Sequence, residues 1–460
     1  MAHTYSHTIN KQITSYLVEK GIVSRRDAGP GTWLSLLLPI CVMKGELIYE
    51  TSDKYKVASC ISAGFLLHSI LVMTRSYAQK YIQPVEVSVC CLVSIISLYF
   101  FSPEGFVLSI LYGSLSVFTY HTLILPLMKL CPRSFSYGEA TIVAQGFVLF
   151  LSLCVVRETR PTNDCYSIST TILQCGNICM LGLAACAFHL ELKGKPFEFY
   201  SLLSVTVVVL LISLYFLIGT NPLLWILNLF TEDMTTLWML SFWVGCSVLA
   251  AIVVSTQITS ERKANTVTRK TFHVLSLLVF VPGIVLKPCA IYLASGVAFA
   301  ILLFLDALRV LEMPPLGKFL QQGYSSFVDQ KDEGPLALTP IYLLVGCSWP
   351  LWIHPDLSKS DLLPLFAGLL SIGVGDSAAS ACGTLVGKNR WPGSKKTKEG
   401  TAACFLSQLF LVIFLIHIGY VPRTNLIKPT FAIATSSFVE AKTDQVDNIV
   451  LPLLMYAMML

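Results

Sequence analysis

Charge is scarce in this sequence. Asp, Glu, Lys and Arg make up 13% of its 460 residues, against 54% hydrophobic residues and a mean hydropathy of +0.69. An ordinary soluble globule carries about twice that share of charge, so this class is excluded. No soluble domain separates the apolar stretches, and no internal repeat is visible, which removes the inverted-repeat signature of many transporters. The net charge of +5 is spread through loops and not along one stripe, so no nucleic-acid partner is expected. The first 31 residues lack the basic, apolar, small-residue order of a cleaved leader, which leaves the first membrane span to target the chain. There is no CxxC zinc spacing, no GxGxxG nucleotide fingerprint, and no HRD and DFG pair of the protein-kinase kind.

What is abundant is apolar sequence in runs near the ~20 residues that cross a bilayer as helix. The clear runs are 57–74, 85–102, 106–130, 140–156, 170–190, 201–219 and 237–256, followed by 272–286, 289–308, 338–354, 362–379 and 402–420. Shorter or interrupted runs at 33–49, 431–439 and 449–460 bring the expected total to about 12 to 15 spans. Backbone groups in hydrocarbon must be satisfied within the segment, and these runs do not alternate as barrel strands do. The predicted fold class is therefore all-α, a polytopic transmembrane helical bundle. Two regions follow from motif content: residues 1–256, with few polar clusters, and residues 257–460, which hold nearly all of them. Most of the 15 cysteines lie within apolar runs, where Cys acts as a small hydrophobe and not as a disulfide framework.

Alternating the spans from Phe272 onward puts four loops on one side. They carry Arg262, Lys263, Arg269, Lys270, Arg309, Lys318, Lys331, Lys388, Arg390, Lys395, Lys396, Lys398 and Lys442. The opposite loops carry Lys287, Lys359, Arg423 and Lys428, and thirteen cations against four predict that the first side is cytosolic.

That side gathers four polar clusters. Arg269, Lys270 and His273 stand in TRKTFH; Asp332 and Glu333 in KDEGPL; Glu440, Asp444, Asp447 and Asn448 in EAKTDQVDN. The densest runs from Gly375 to Thr401, GDSAASACGTLVGKNRWPGSKKTKEGT, with Asp376 at the end of an apolar run. Glycines that let backbone N–H groups approach oxygens, cations that neutralise them and a carboxylate for Mg²⁺ together suit a polyphosphate. Each cluster alone also fits a plainer role: Arg269 and Lys270 as topology determinants, His273 as a structural hydrogen-bonder, Asp332 and Glu333 as a solvated loop. An ionisable residue beside an apolar span is costly, which favours function for Asp376. Gly383 to Lys388, GTLVGK, only imitates a Walker A loop: the glycines are one residue too close and Asn389 follows the lysine. Any nucleotide site belongs to another fold.

At Trp391 to Thr401, WPGSKKTKEGT, following the DSAAS of 376–380, the sequence resembles the dolichol kinase family of CTP-dependent polyprenol kinases. TRKTFH, DEGPLALTPIYLL, GVGDSAASACG and TDQVDNIVLP extend the resemblance over roughly the last 200 residues, while the N-terminal half is similar in hydropathy only. The resemblance implies transfer of the γ-phosphoryl group of CTP to the hydroxyl of dolichol with a divalent cation such as Mg²⁺. It further implies a multi-pass protein of the endoplasmic reticulum membrane whose product serves N-glycosylation, mannosylation and anchor synthesis. Its CTP-binding segment maps onto Thr384, Gly387, Lys388, Arg390, Trp391, Pro392, Gly393, Ser394, Lys395, Lys396, Thr397 and Glu399. Within this segment chemistry assigns Lys395 and Lys396 to phosphate, Gly393 and Ser394 to donor roles, and Glu399 to metal or ribose. Asp376 is expected to hold the metal or orient the hydroxyl, with Asp447 and Asn448 completing the metal shell and Arg269, Lys270, His273, Asp332 and Glu333 in support. A CTP-dependent lipid cytidylyltransferase, a kinase of another prenyl alcohol and a transporter are the alternatives. Polar residues at one face and not at the midplane weigh against the last. No protein partner can be read.

Overall fold

The computed structural model describes residues 2–156, 164–260, 263–328, 334–357, 362–422 and 426–460. The first part comprises α1 (Ala2–Glu19), a 3₁₀ turn at Thr32–Leu36, α2 (Leu37–Ile48), α3 (Asp53–Tyr77), α4 (Pro84–Phe101), α5 (Phe106–Leu130) and α6 (Tyr137–Val155). A middle group follows: α7 (Cys165–His189), α8 (Pro196–Ile218), α9 (Pro222–Thr231) and α10 (Met234–Thr259). The last part holds α11 (Thr266–Leu286), α12 (Pro288–Val310), α13 (Gly317–Phe327) and α14 (Leu338–Ile353). After a broken segment come α15 (Ser377–Leu385), α16 (Lys398–His417), α17 (Ile427–Lys442) and α18 (Asp447–Met459). Among the described residues the only β pairing is an isolated antiparallel bridge between Arg390 and Thr397, so the all-α expectation holds.

Local chemistry sets the helix starts. Ser52, Ser136, Asp164, Asn221, Asp233, Asn265 and Thr397 each accept a first-turn amide with the side chain, and Pro84, Pro196, Pro222 and Pro288 occupy first-turn positions where no N–H is missed. Ten helices among the described residues are long and apolar enough to cross a membrane: α3 to α8, α10 to α12 and α16. Three shorter apolar helices, α9, α14 and α18, accompany them. The main core joins α2, α3, α5, α6, α14 and α18 around Phe65, Tyr120, Phe366 and Tyr456. Outside it, α8 and α10 bury only 6% and 17% of their apolar windows, which marks them as lipid-facing.

The run 362–379, expected as one span, is broken into a 3₁₀ turn (Leu363–Phe366), a π-helical stretch (Leu369–Asp376) and α15. Its small residues supply the reason: α16 approaches so closely that a Cβ on Gly375 would overlap the Gln408 amide. A π-bulge shifts the side-chain register and recurs at functional sites. Here it ends on Asp376. The broken segment packs against α11, α16, α17 and α18, which brings the ends of all five elements to one face.

On the opposite face, α11 ends and α12 begins. Lys287 pairs there with Asp233, and a disulfide joins Cys165 at the start of α7 to Cys289 at the start of α12. The expectation that most cysteines act as small hydrophobes did not foresee this pair. Both partners sit at helix ends outside the apolar core, whereas seven of the remaining cysteines are buried or half-buried in the long apolar helices α3, α4, α6, α7 and α10.

Candidate active site

The polar loop after α15 is a short hairpin. Trp391 N–H donates to the Lys396 carbonyl (3.0 Å), Lys398 N–H to the Asn389 carbonyl (2.8 Å), and Ser394 N–H to the Trp391 carbonyl (3.1 Å). Pro392 followed by Gly393 at φ +72° is the signature of a type II turn, whose third position favours glycine. Thr397 then caps α16 by accepting the Gly400 amide (3.1 Å). Side chains alternate along such a ribbon, and adjacent lysines part company. Lys396 turns inward while Lys395 stays exposed.

Inward, the Lys396 ammonium donates to Glu440 at the end of α17 and lies 3.5 Å from Asp447 at the start of α18. Asp376, at the end of the π-helical stretch, is 8% exposed, pairs with Lys270 of α11, and has its Oδ2 3.4 Å from Nε2 of His273. The carboxylates of Asp376, Glu440 and Asp447 each bring an oxygen within 4.8 Å of the others. Partial burial pulls the Lys396 ammonium down, but Asp447 and Glu440, with Asp376 behind them, more than reverse this and hold its pKa above the ordinary lysine value. Three carboxylates face two ammonium groups, and the excess negative charge, carried on hard oxygen donors, suits a divalent cation such as Mg²⁺.

The structure therefore brings together Lys270, His273, Asp376, Lys396 and Asp447 of the predicted set and adds Glu440. Glu440 stands in the expected polar cluster without a ligand role. A usable signal was present, since an acid in the last turn of a helix opposes the helix dipole and needs a partner. Asn448 follows Asp447 in the first turn of α18. Glu399 accepts from Asn389 N–H (3.1 Å) and Nδ2 (2.7 Å), closing the hairpin at its base. Trp391 donates to Thr401 Oγ1 (2.9 Å) and packs edge-on against Phe438, with Lys442 and Lys398 at 5.1 and 5.7 Å from its ring centre. Thr384 donates to the Ser380 carbonyl, and Lys388, Arg390, Pro392, Gly393 and Ser394 line the exposed and half-exposed side of the loop with Lys395. The Gly387 backbone packs against Thr397, and Arg269 lies one turn before His273, whose Nδ1 is 3.4 Å from the Arg269 carbonyl. Asp332 and Glu333 lie outside the described residues.

Comparison with known proteins decides the family. The sequence model of dolichol kinase matches residues 75–353. A dolichol kinase of Mus musculus is 33% identical over 360 residues, covering 74% of this chain and 67% of its own length. The chain belongs to the dolichol kinase family. The Homo sapiens dolichol kinase is 32% identical over the same shares, and dolichol kinase EVAN of Arabidopsis thaliana is 33% identical over 52% of this chain and 43% of its own. No solved structure matches. The matched span starts at residue 75, so the family relationship reaches well into the N-terminal half, beyond the likeness in hydropathy that the motifs alone indicate there.

Proposed function

We propose that this protein is a dolichol kinase that transfers the γ-phosphoryl group of CTP to the terminal hydroxyl of dolichol, giving dolichyl phosphate and CDP. The observation that carries the proposal is the convergence of Asp376, Glu440 and Asp447, from three separate segments, on the inward lysine of the WPGSKKTKEGT hairpin. Asp376, Glu440 and Asp447 would hold the divalent cation, which when bound neutralises phosphate charge. Lys396 faces the same space and is placed to meet the phosphates, while Lys270 and His273 fix the Asp376 carboxylate. Lys388, Arg390 and Lys395 on the open side of the hairpin supply the positive field a triphosphate needs. Membership of the family supports dolichol as acceptor, and the hairpin motif supports CTP as donor.

The site lies at the ends of the spans, where a lipid hydroxyl held by its tail in hydrocarbon can meet a water-soluble nucleotide. We place this face in the cytosol and the protein in the endoplasmic reticulum membrane. The excess of cations on this side supports that orientation, as does the Cys165–Cys289 disulfide on the other, since disulfides persist on the oxidising side of a membrane. The test is incubation of the purified protein with dolichol, Mg²⁺ and γ-labelled CTP. Label in the lipid with release of CDP is expected; release of pyrophosphate would make the protein a cytidylyltransferase. Equal kcat/KM with ATP would remove CTP as the preferred donor, and equal kcat/KM with phytol would remove dolichol as the preferred acceptor.

A further inference from the structure

The loop that carries Asp447 is held by the N-terminal part of the chain. Arg25 donates from Nε and Nη2 to Glu139 Oε2 (3.1 Å) and Oε1 (2.7 Å), and both side chains are almost fully buried. The same Nη2 donates to the Asp444 carbonyl (3.1 Å), and the Val446 amide, next to Asp447, donates to Glu139 Oε1 (2.9 Å). Gly29 N–H donates to Asp444 Oδ2 (2.6 Å), Gln445 Nε2 to the Gly29 carbonyl (3.0 Å), and Ser136 Oγ to Gln445 Oε1 (2.6 Å). A Cβ on Gly31 would overlap the Gln445 side-chain amide, so that side chain lies directly against the Gly31 backbone. Val446 is the residue from which α18 starts, so fixing its amide fixes where the Asp447 carboxylate stands.

We propose that Arg25 and Glu139 are positioning residues for the phosphoryl-transfer site, holding the Asp444–Val446 loop so that Asp447 meets Asp376 and Glu440. The proposal rests on the reading that these three carboxylates hold the divalent cation. Beyond the bonds within the pair, one guanidinium N–H and one carboxylate oxygen go to the backbone of this loop, which ties its position to the pair. Outer partners of a metal ligand change metal affinity or activity by about 10- to 100-fold when removed.

Removing one member of a buried pair strands the other, so the informative variant is the double Arg25→Met with Glu139→Leu, which removes both charges together. Mn²⁺ binding to the purified full-length protein, without nucleotide, is followed by electron paramagnetic resonance, alongside hydrogen exchange at the Val446 amide. A rise in Mn²⁺ Kd of about tenfold or more is expected. Faster exchange at Val446 and a matching rise in the Mg²⁺ needed for half-maximal turnover should accompany it, with kcat at saturating Mg²⁺ less affected. A well-folded double variant with parental Mn²⁺ affinity overturns the proposal. If the double variant does not accumulate, Arg25→Lys, which keeps a positive charge opposite Glu139 but loses the guanidinium fork that also reaches the Asp444 carbonyl, gives the same decision: parental affinity and parental exchange overturn it. Asp447→Asn separates this from the underlying reading. Parental Mn²⁺ binding in that variant removes the metal site itself, whereas loss there with parental binding in the double variant removes only the clamp.

Discussion

Glu139 and Glu440 are both buried carboxylates facing a cation from a distant stretch of chain, and they differ in the charge around them. Glu139 meets one guanidinium and receives four donors on its two oxygens: Arg25 twice, the Ser136 amide and the Val446 amide. Its charge is matched and its lone pairs are filled. Glu440 shares Lys396 with Asp447, and Asp376 stands within the same group with Lys270. That region retains one more carboxylate than ammonium. A balanced buried pair is a frame, costly to break and indifferent to ions. An unbalanced cluster is unstable by itself and gains by taking up a cation, which is what a phosphoryl-transfer site requires.

The largest effect should come from breaking the frame. Glu139→Gln leaves the Arg25 guanidinium buried without a counter-charge and should cost about 3–5 kcal/mol of stability. Thermal unfolding in detergent is the measurement, and Arg25→Met with Glu139→Leu should recover most of the loss. If the single variant unfolds at the parental temperature, the pair is not the frame argued for here.

Next comes chemistry without loss of fold. Asp376→Asn keeps size and removes the charge shared with Lys270 and His273, so kcat should fall by about two orders of magnitude or more. Near-normal turnover at saturating CTP and Mg²⁺ would take Asp376 out of the site. Glu440→Gln sharpens the contrast with Glu139 further. It removes one of three crowded carboxylates, so unfolding should not occur at a lower temperature, while the Mg²⁺ required for half-maximal rate rises by about tenfold or more. A fall in stability like that of Glu139→Gln would erase the distinction between frame and site.

Hydropathy revealed most of the fold because hydrocarbon leaves the backbone no partner but its own helix, and the long runs of α3 to α8, α10 to α12 and α16 follow from that. The break in 362–379 was not legible, since a π-bulge depends on how closely α16 approaches through Gly375. Of the site, Asp376, Lys270, His273, Lys396 and Asp447 were legible as charges beside apolar runs on one face. Glu440 gave only the weaker signal of an acid set against the helix dipole, in an EAK setting that otherwise looks like a solvated helix end. The S-x-x-E box at Ser136–Glu139 announces a helix start, but nothing local connects Glu139 to Arg25, 114 residues away, or to Val446, 307 residues away. The parting of Lys395 from Lys396 depends on the hairpin and not on the composition of the motif. Lys396→Ala should therefore lower kcat and raise the KM for CTP together. Lys395→Ala, exposed on the hairpin, should raise KM by only a few-fold, on the scale of about 1 kcal/mol or less for an exposed charge. Equal effects would mean that the hairpin turns when nucleotide binds.

The smallest effect on activity belongs to the face that lacks the site. Cys289→Ser opens the disulfide between α7 and α12, yet these helices also pack along their lengths, with Thr170 and Tyr292 hydroxyls 3.0 Å apart just inside the bridge. Turnover should stay near that of the parent, because no residue of the carboxylate cluster lies on either helix. What the substitution does supply is a topological marker, since it frees the Cys165 thiol. A membrane-impermeant maleimide should reach Cys165 only after the lumenal side of sealed microsomes is opened, whereas a cysteine introduced in place of Lys395 should react at once. Labelling of Cys165 from the outside of sealed vesicles would reverse the orientation and place the carboxylate cluster in the lumen, away from cytosolic CTP.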